Sequence, residues 1–468
     1  MEVALLEYDG SRESAASSPR LVASTKHTYS RSIQETPAHE EAALEDRNAD
    51  ALPPPPRSGP FPDKNESNYF RSLEWSPDGT SLLSAFADNK LRLFVAPPDL
   101  LEQGEPHRLT PYSTYAAAEP TYAQVFYPGF NLSDSSTTLV LTSPRDLPIQ
   151  LINVLDPSSK PIGTYPLVCP TTEAYQTPSS LLFYPSGNVF YTGTECLIAL
   201  FDISRPGERP TTRLPTIPSK RHKMKGGGVG MRGIVSCLAL QPESGAVGTG
   251  SSMLAAGAWT RWVSLYDGEG MGGTVANWSV ASAADTESKI GGAGVSQVLW
   301  SDCGRYLYVA ERKSTGVLVY DVRVTGKLVA WLEGRDADTN QRMAVDSHTA
   351  GGKSEVWAGG TNGTVNVWTD VGGREGAHTF EDSWTAYGED TTVGGLSMHN
   401  CGSVIATASG SRRELASNIE DSDSDSDSDD ETSQGVEVAA RQLSRITFNT
   451  KKKREASEDN SIKIWSFA

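Results

Sequence analysis

The stretch LEWSPDGTSLLSAFADNKLRLF (Leu73–Phe94) decides how the rest of the chain is read. Apolar residues alternate in LEW and again in LRLF, and Pro77, Asp78 and Gly79 supply a tight turn between runs. The segment therefore spells two or three short strands joined by turns. Such a unit cannot bury its apolar face alone and needs neighbours of its own kind.

It recurs. SLLFYPSGNVFYTGTECLIALFDIS (180–204) has the same plan: an alternating strand, a turn with Gly or Pro, a small-residue strand, then an apolar strand ending in an aromatic. SCLALQP…MLAAGAWTRWVSLYDG (236–268), SQVLWSDCGRYLYVAERKSTGVLVYDVR (296–323), SEVWAGGTNGTVNVWTD (354–370) and GGLSMHNCGSVIATASG (394–410) follow it. A degenerate copy, AQVFYP…TTLVLTSPRDLPIQLINVLD (123–156), sits second, and NSIKIWSF (460–467) completes the copy begun at 394. Seven units spaced roughly 40–65 residues apart match the period of four-stranded propeller blades with variable loops. Phe201-Asp202, Tyr266-Asp267 and Tyr320-Asp321 read as degenerate forms of the Trp-Asp dipeptide that closes such blades. The expectation is an all-β fold, a closed seven-bladed β-propeller over residues 67–468. The last blade ends on its third strand, so its fourth must come from before residue 70; RLVASTKHTYS (20–30) alternates enough to supply it.

Two regions fall outside the pattern. Residues 1–66 are rich in Ser, Glu and Ala with PPPP at 53–56, a composition that offers too little apolar surface to offset ordering entropy. Residues 412–458, inside the last blade, hold EDSDSDSDSDDE (420–431), with eight acidic side chains and no basic one, and then KKKR (451–454). Both read as disordered. Ser422, Ser424, Ser426 and Ser428 are each followed by an acid, the pattern of acidophilic kinase targets; Lys451, Lys452, Lys453 and Arg454 read as a nuclear-import signal.

The net charge of -17 excludes a globally basic nucleic-acid binder but not a local basic patch. Five isolated cysteines without a C-x-x-C pair disfavour a zinc site or disulfide framework and fit a reducing compartment. No segment reads as a secretory signal or a membrane span, so no membrane partner is expected. HTAGGKS (348–354) resembles the tail of a phosphate-binding loop, but Ser347 stands where the motif needs Gly, and it reads as a surface loop between strands. The seven histidines are scattered, none at ligand spacing, and His399 fits a structural hydrogen-bonding position. With no nucleophile elbow, metal set or acid/base pair, neither catalysis, a cofactor nor a small-molecule substrate is expected.

What remains is recognition. AWTRWVSLY places Trp259, Arg261 and Trp262 at the end of a strand pair, and aromatic and guanidinium planes both stack on unpaired bases. Arg312, Lys313 and Arg323 belong to the fifth unit, and Asn340, Gln341 and Arg342 open the sixth. Amides read base edges and arginines neutralise phosphate. Each residue alone is ordinary surface; their concentration in loops of adjacent blades is the signal. For Arg342 the competing reading is an ion pair with Asp321 or Asp346. The basic loop KRHKMKGGGVGMRG (220–233) fits a phosphate contact or plain solvation equally.

WSPDGTSLLSAFADNKLRLF, PIQLINVLD, IALFDISRPG, TNQRMAVD, GGTNGTVNVWTD and GLSMHNCGSVIATASGSR occur in an order that resembles the WD-repeat family of the telomerase Cajal body protein. The resemblance covers nearly all of residues 70–467, an acidic insertion after ATASG included. It departs at WSDCG, where the family has His-Pro-Asp-Gly, and at ERKS, where a Lys-Asp ending is usual. The resemblance implies a nuclear, non-enzymatic protein. Animal members of the family recognise a short box in the terminal loop of H/ACA-type RNAs, telomerase RNA among them, and deliver the particles to Cajal bodies. Fungal relatives are associated with spliceosomal small nuclear RNA. The implied partners are such an RNA and its ribonucleoprotein proteins; the alternative is a protein-binding scaffold without RNA contact.

Overall fold

The structure, a computed structural model, describes residues 19–26, 29, 68–158, 160–218, 230–242, 252–268, 273–411 and 459–467. Most of the N-terminal tail, the serines of the acidic run and the Lys451–Arg454 cluster lie outside the described residues.

Seven sheets follow one another along the chain and form a seven-bladed β-propeller. Their first strands lie against one another in chain order and line the axis. Phe70–Trp75 opens blade 1, Thr121–Phe126 blade 2, Ser180–Phe183 blade 3 and Val235–Leu240 blade 4; Val295–Trp300, Val345–Ala350 and Val393–Met398 open blades 5, 6 and 7. The core is distributed over the seams. Each of seven apolar clusters joins two neighbouring blades, such as Val263 and Leu265 with Val298 and Leu307 between blades 4 and 5. Packing of that kind makes each blade dependent on its neighbours.

The opening stretch shows how a seam is built. Asp78 Oδ1 accepts from Ser76 Oγ (2.6 Å) and the Thr80 amide (3.1 Å), fixing the turn. Asp78 Oδ2 accepts the Leu132 amide of blade 2 at 2.7 Å. Gly79 adopts φ +71°, and a Cβ there would lie 2.3 Å from His399 Nε2 of blade 7, so only glycine fits. His399 Nε2 approaches the Gly79 carbonyl at 3.1 Å, a hydrogen-bonding role across the seam.

Blade 7 is assembled from both ends of the chain. Val393–Met398, Val404–Ser409 and Ile462–Ser466 come from the C-terminal part, and Arg20–Ser24 pairs antiparallel with Ile462–Ser466 as the fourth strand. His107–Arg108, from the connection between the third and fourth strands of blade 1, adds a short parallel fifth strand. Gly376–Thr379 likewise leaves blade 6 to pair in parallel with Leu328–Glu333 of blade 5.

HTAGGKS does lie between strands, and the connection there is as short as it can be: Val345–Ala350 pairs with Lys353–Gly359 in a β-hairpin around Gly351 and Gly352. Both glycines have positive φ (56° and 79°), the backbone of the two-residue hairpin turn that matches strand twist.

Around the axis, Glu74 of blade 1 and Asp346 of blade 6 approach each other near blade 7. Burial, then the Asp346 charge, push the Glu74 carboxyl up to about 7. Asp346 accepts the amides of Met398 (2.7 Å) and Ser347 (2.8 Å), which favour its charged form, so Glu74 is the better seat for a proton. A carboxyl whose pKa is raised by folding stabilises most below its unfolded pKa, and that contribution is lost as pH rises through the folded value. Glu74→Gln is therefore expected to raise the melting temperature by about 1–3 °C at pH 8 and to change nothing at pH 4. Thermal melts of the two proteins across that range check it, and an equal shift at both pH values would refute the linkage.

Candidate functional site

Chain direction sorts the loops. Successive strands of a blade are antiparallel, so loops joining second to third strands share one face with the connections between blades. Turns joining first to second and third to fourth strands share the other. We call the former the upper face.

Three upper-face segments meet near the junction of blades 4, 5 and 6. Trp259–Arg261 links Leu254–Ala258 to Trp262–Tyr266 in blade 4. Arg312–Thr315 links Tyr306–Glu311 to Gly316–Asp321 in blade 5. Residues 334–344 connect blade 5 to blade 6. The segments are tied by backbone hydrogen bonds, Arg312 N to Gly294 O at 3.0 Å and Lys313 N to Thr339 O at 3.1 Å. Gly294, at φ +135°, passes so close to Trp259 that a Cβ would lie 2.7 Å from its carbonyl oxygen. Gly294→Ala is thus expected to part the blade 4 and blade 5 loops and cost about 2–4 kcal/mol, through backbone strain plus overpacking. Chemical denaturation measures it; a loss under about 0.5 kcal/mol would show that the loops are not interlocked.

The side chains divide into two groups. Arg261 is engaged: its guanidinium bonds Glu311 Oε2 (2.7 Å) and Asp285 Oδ2 (2.7 Å) and Oδ1 (2.9 Å). Those hydrogen bonds, Asp285 first, hold its pKa above the usual arginine range. Gln341 is buried and donates from Nε2 to the Gly410 carbonyl of blade 7 at 2.9 Å. Arg323 is not on the upper face at all. It follows the third strand of blade 5, on the lower face, and closes on Asp321 (Nη2–Oδ2 2.5 Å). These three leave the cluster that their sequence positions suggest. Trp262 opens a strand and packs against the blade 3–4 core.

The second group stays together. Trp259 is 46% exposed, and the Arg312 guanidinium lies 4.2 Å from its ring centroid. Arg342, half-buried, reaches across to blade 4 and donates from Nη2 to the Ser236 carbonyl at 2.9 Å. Asp321 and Asp346 are occupied elsewhere, and among the described residues no carboxylate pairs with Arg312 or Arg342. Burial and then the Arg342 charge push Arg312 down to about 10; burial pushes Arg342 down as well. The Arg312 Nε is buried with no hydrogen-bond partner. Lys313 and Asn340 flank them, exposed. Arg335, which sequence reasoning passed over, adds a third guanidinium without a carboxylate partner among the described residues. It is 2% exposed, bonds only the carbonyls of Gly359 (3.1 Å) and Met343 (3.3 Å), and is pushed by burial down to about 10. The isolated GRDAD context gives no signal of that burial.

Desolvated guanidiniums that repel one another are a standing cost, and an anion placed against them relieves it. An exposed indole beside them offers a stacking plane. Among the described residues no group of His, Cys, Asp or Glu could hold a metal, and no helix is long and apolar enough to cross a membrane.

Comparison with known proteins bears on the whole ring. The WD domain, G-beta repeat model matches residues 63–94, which hold the opening stretch. The chain is 30% identical over 305 residues to guanine nucleotide-binding protein negative regulator 1 of Schizosaccharomyces pombe, covering 64% of this chain and 70% of that one. It is 27% identical over 351 residues to telomerase Cajal body protein 1 of Rattus norvegicus, covering 74% of this chain and 59% of the rat protein. The chain belongs to the WD-repeat family of the telomerase Cajal body proteins. Protein SWT21 of Vanderwaltozyma polyspora is a further fungal relative, 25% identical over 289 residues, with 58% of this chain and 64% of that one covered. The match thus spans less than two thirds of the rat Cajal body protein.

Proposed function

We propose that this WD-repeat protein is a non-enzymatic, nuclear RNA-binding component of small ribonucleoproteins, which it helps to assemble or localise. The observation that carries the reading is the Arg312–Arg342 pair: two partly desolvated guanidiniums without carboxylate partners among the described residues, beside an exposed tryptophan, on a protein of net charge -17. Local positive potential on an acidic molecule marks the place where a polyanion approaches without repulsion. Trp259 supplies a plane for an unpaired base, and Asn340 an amide for its edge. The names of the Cajal body relatives support a ribonucleoprotein partner. Small nuclear and H/ACA-type RNAs are the classes to test, telomerase RNA included. The test is ultraviolet crosslinking of the full chain in nuclear extract, followed by sequencing of the RNA and mapping of the crosslinked peptide. The reading expects small nuclear or Cajal-body RNA joined to peptides containing Trp259, Arg312 or Arg342. Recovery of protein partners with no RNA would favour a scaffold instead.

A further inference from the structure

Three turns on the lower face are built alike. Each joins the first strand of its blade to the second: 76–80 in blade 1, 301–305 in blade 5 and 399–403 in blade 7. In each, a glycine amide donates to the carbonyl three residues back, at 2.8 Å for Gly79, 2.7 Å for Gly304 and 2.8 Å for Gly402. The residue before that glycine occupies an acceptor slot. In blade 1 it is Asp78, whose carboxylate accepts from Ser76 Oγ at 2.6 Å and from Thr80 Oγ1 at 2.8 Å. In blade 7 it is Cys401, with Sγ 2.9 Å from His399 Nδ1 and 3.2 Å from Ser403 Oγ. The first and fifth turn residues thus face the sulfur as they face the carboxylate in blade 1, and donors that favour one anion favour the other. In blade 5 the slot holds Cys303, with Ser301 Oγ at 3.3 Å where blade 7 has its histidine.

His399 differs from a serine in that it can take the thiol proton. Its Nε2 lies 3.1 Å from the Gly79 carbonyl, which only accepts, so Nε2 carries a hydrogen. In the neutral ring that leaves Nδ1 as the base, facing the sulfur. The Cys401 amide lies 3.1 Å from the same nitrogen and holds the ring over the turn. Proton transfer to Nδ1 gives a thiolate beside an imidazolium whose two N–H groups point at Sγ and at the Gly79 carbonyl. Burial opposes the thiolate, but the hydrogen bonds from His399 and Ser403 outweigh it and bring the Cys401 thiol down to about 7. Burial opposes the imidazolium as well, and the hydrogen bond and charge of Cys401 overcome it, so His399 is raised. Cys237 is the contrast: it is buried, and burial pushes its thiol up to about 11. Cys401 is only half-buried, which leaves its sulfur open to small reagents.

We infer that Cys401, activated by His399, is a redox-sensitive thiolate that hydrogen peroxide oxidises to a sulfenic acid. The thiolate attacks one peroxide oxygen, and the S–O bond forms as the O–O bond breaks. Sulfur gives up two electrons and the peroxide takes them. The departing hydroxide receives the proton from His399 Nδ1 and leaves as water. The site lies where blade 7 meets blade 1, on the face opposite the arginine rim, so the inference stands apart from the RNA reading.

Cys303 is the internal control, since it holds the same slot without an imidazole and is the more exposed of the two. The full chain is alkylated with limiting iodoacetamide at pH 6, and each cysteine is quantified by mass spectrometry. At that pH an ordinary thiol, with a pKa of about 8.5, is about 0.3% thiolate, and one with a pKa of about 7 is about 9%. The lower nucleophilicity of the less basic thiolate takes back part of that gain, so Cys401 should react about fivefold faster than Cys303. Accessibility alone would give the reverse order. His399→Ser installs the serine that blades 1 and 5 carry at that position, in a turn this chain already folds, and should bring Cys401 to the rate of Cys303. His399→Gln, which supplies no base, should do the same, so loss of fold in one variant leaves the other to decide. In the second arm, hydrogen peroxide is added in the presence of dimedone, which traps sulfenic acids. The adduct should form at Cys401 ahead of Cys303 in the parent and fall to the Cys303 level in the His399 variants. Alkylation of Cys401 no faster than Cys303, a rate unchanged by replacement of His399, or no dimedone adduct at Cys401 would each overturn the inference.

Discussion

Deletion of residues 1–30 is expected to lower the melting temperature by about 10 °C or more. The deletion removes Arg20–Ser24, the strand that completes blade 7 against Ile462–Ser466. It also removes the reciprocal bonds at the end of that ladder, Thr25 N to Ile462 O (3.0 Å) and Ile462 N to Thr25 Oγ1 (2.9 Å). Val22 and Ala23 are 2% and 0% exposed, inside the cluster that joins blades 7 and 1. Tyr29 stands among Phe70, Phe86 and Phe94 at 6.1, 5.0 and 6.4 Å between ring centroids. Each ladder bond contributes about 1 kcal/mol net and each buried apolar side chain about 1.5–3 kcal/mol, so the sum approaches the whole stability of an ordinary domain. The remaining edge, Ile462–Ser466, is an unpaired strand open to aggregation. Deleting 415–450 is the contrast. It shortens a connection whose ends are already joined by Ser409 N to Ser461 O (3.0 Å) and Ser461 N to Ser409 Oγ (3.0 Å). Each halving of a loop is worth only about 0.6 kcal/mol, so the melting temperature should stay within about 2 °C. Differential scanning calorimetry of both deletions decides. A ring lacking residues 1–30 that melts within about 2 °C of the full chain would show that the strand is an accessory.

Why so much of the ring is legible from sequence is a matter of period. Strands such as SLLSAF and GVLVYD carry their burial in their own composition, and the aromatic endings of the third strands of blades 1, 3, 5 and 6 are buried in seams: Phe94, Phe201 and Tyr320 at 1% exposure, Trp368 at 0%. The first strand of blade 6 has the opposite character. VDSHTA is polar and carries no apolar alternation of its own, so only the Gly-Gly turn after it is legible. The short parallel strands His107–Arg108 and Gly376–Thr379 carry no alternation to read. They pair across blade boundaries, and only the closed ring places them.

The site was legible as a set of residue types but not as an arrangement. Arg312 and Arg323 look like neighbours, yet the six-residue strand Gly316–Asp321 runs between them. At about 3.3 Å per residue that strand puts roughly 20 Å, the depth of the ring, between their loops. Arg261 draws its partners from positions 285 and 311, separations of 24 and 50 residues that no local pattern encodes. Gln341 and Arg342 are adjacent, and alternation at the start of a blade sends one toward Gly410 and the other toward Ser236.

Arg342→Ala is expected to weaken single-stranded RNA binding about tenfold at low salt, and Arg312→Ala by a similar factor, without loss of fold. A binding arginine differs from a structural one in the sign of its effect on stability. A structural arginine is paired, as Arg261 is with Glu311 and Asp285, and its removal strands a carboxylate of which 1% of the side chain is exposed. Such a change costs about 3–5 kcal/mol. Arg312 has no such partner among the described residues, and burial and Arg342 both disfavour its charge. Its replacement removes a repulsion and leaves no carboxylate behind, so the melting temperature should hold or rise. Arg342 gives up one bond, to Ser236 O, worth about 1 kcal/mol, against relief of the same repulsion. Each variant should also flatten the logarithmic dependence of affinity on salt, by about 0.7 for every phosphate of a single strand that the variant no longer neutralises. Arg342→Lys should keep most of that slope, since charge survives, while losing affinity where the planar fork mattered. Anisotropy titrations at two salt concentrations, with melts of every variant, give the answer. Full affinity in both alanine variants, or affinity that falls only in step with melting temperature, would return Arg312 and Arg342 to the architecture of the ring.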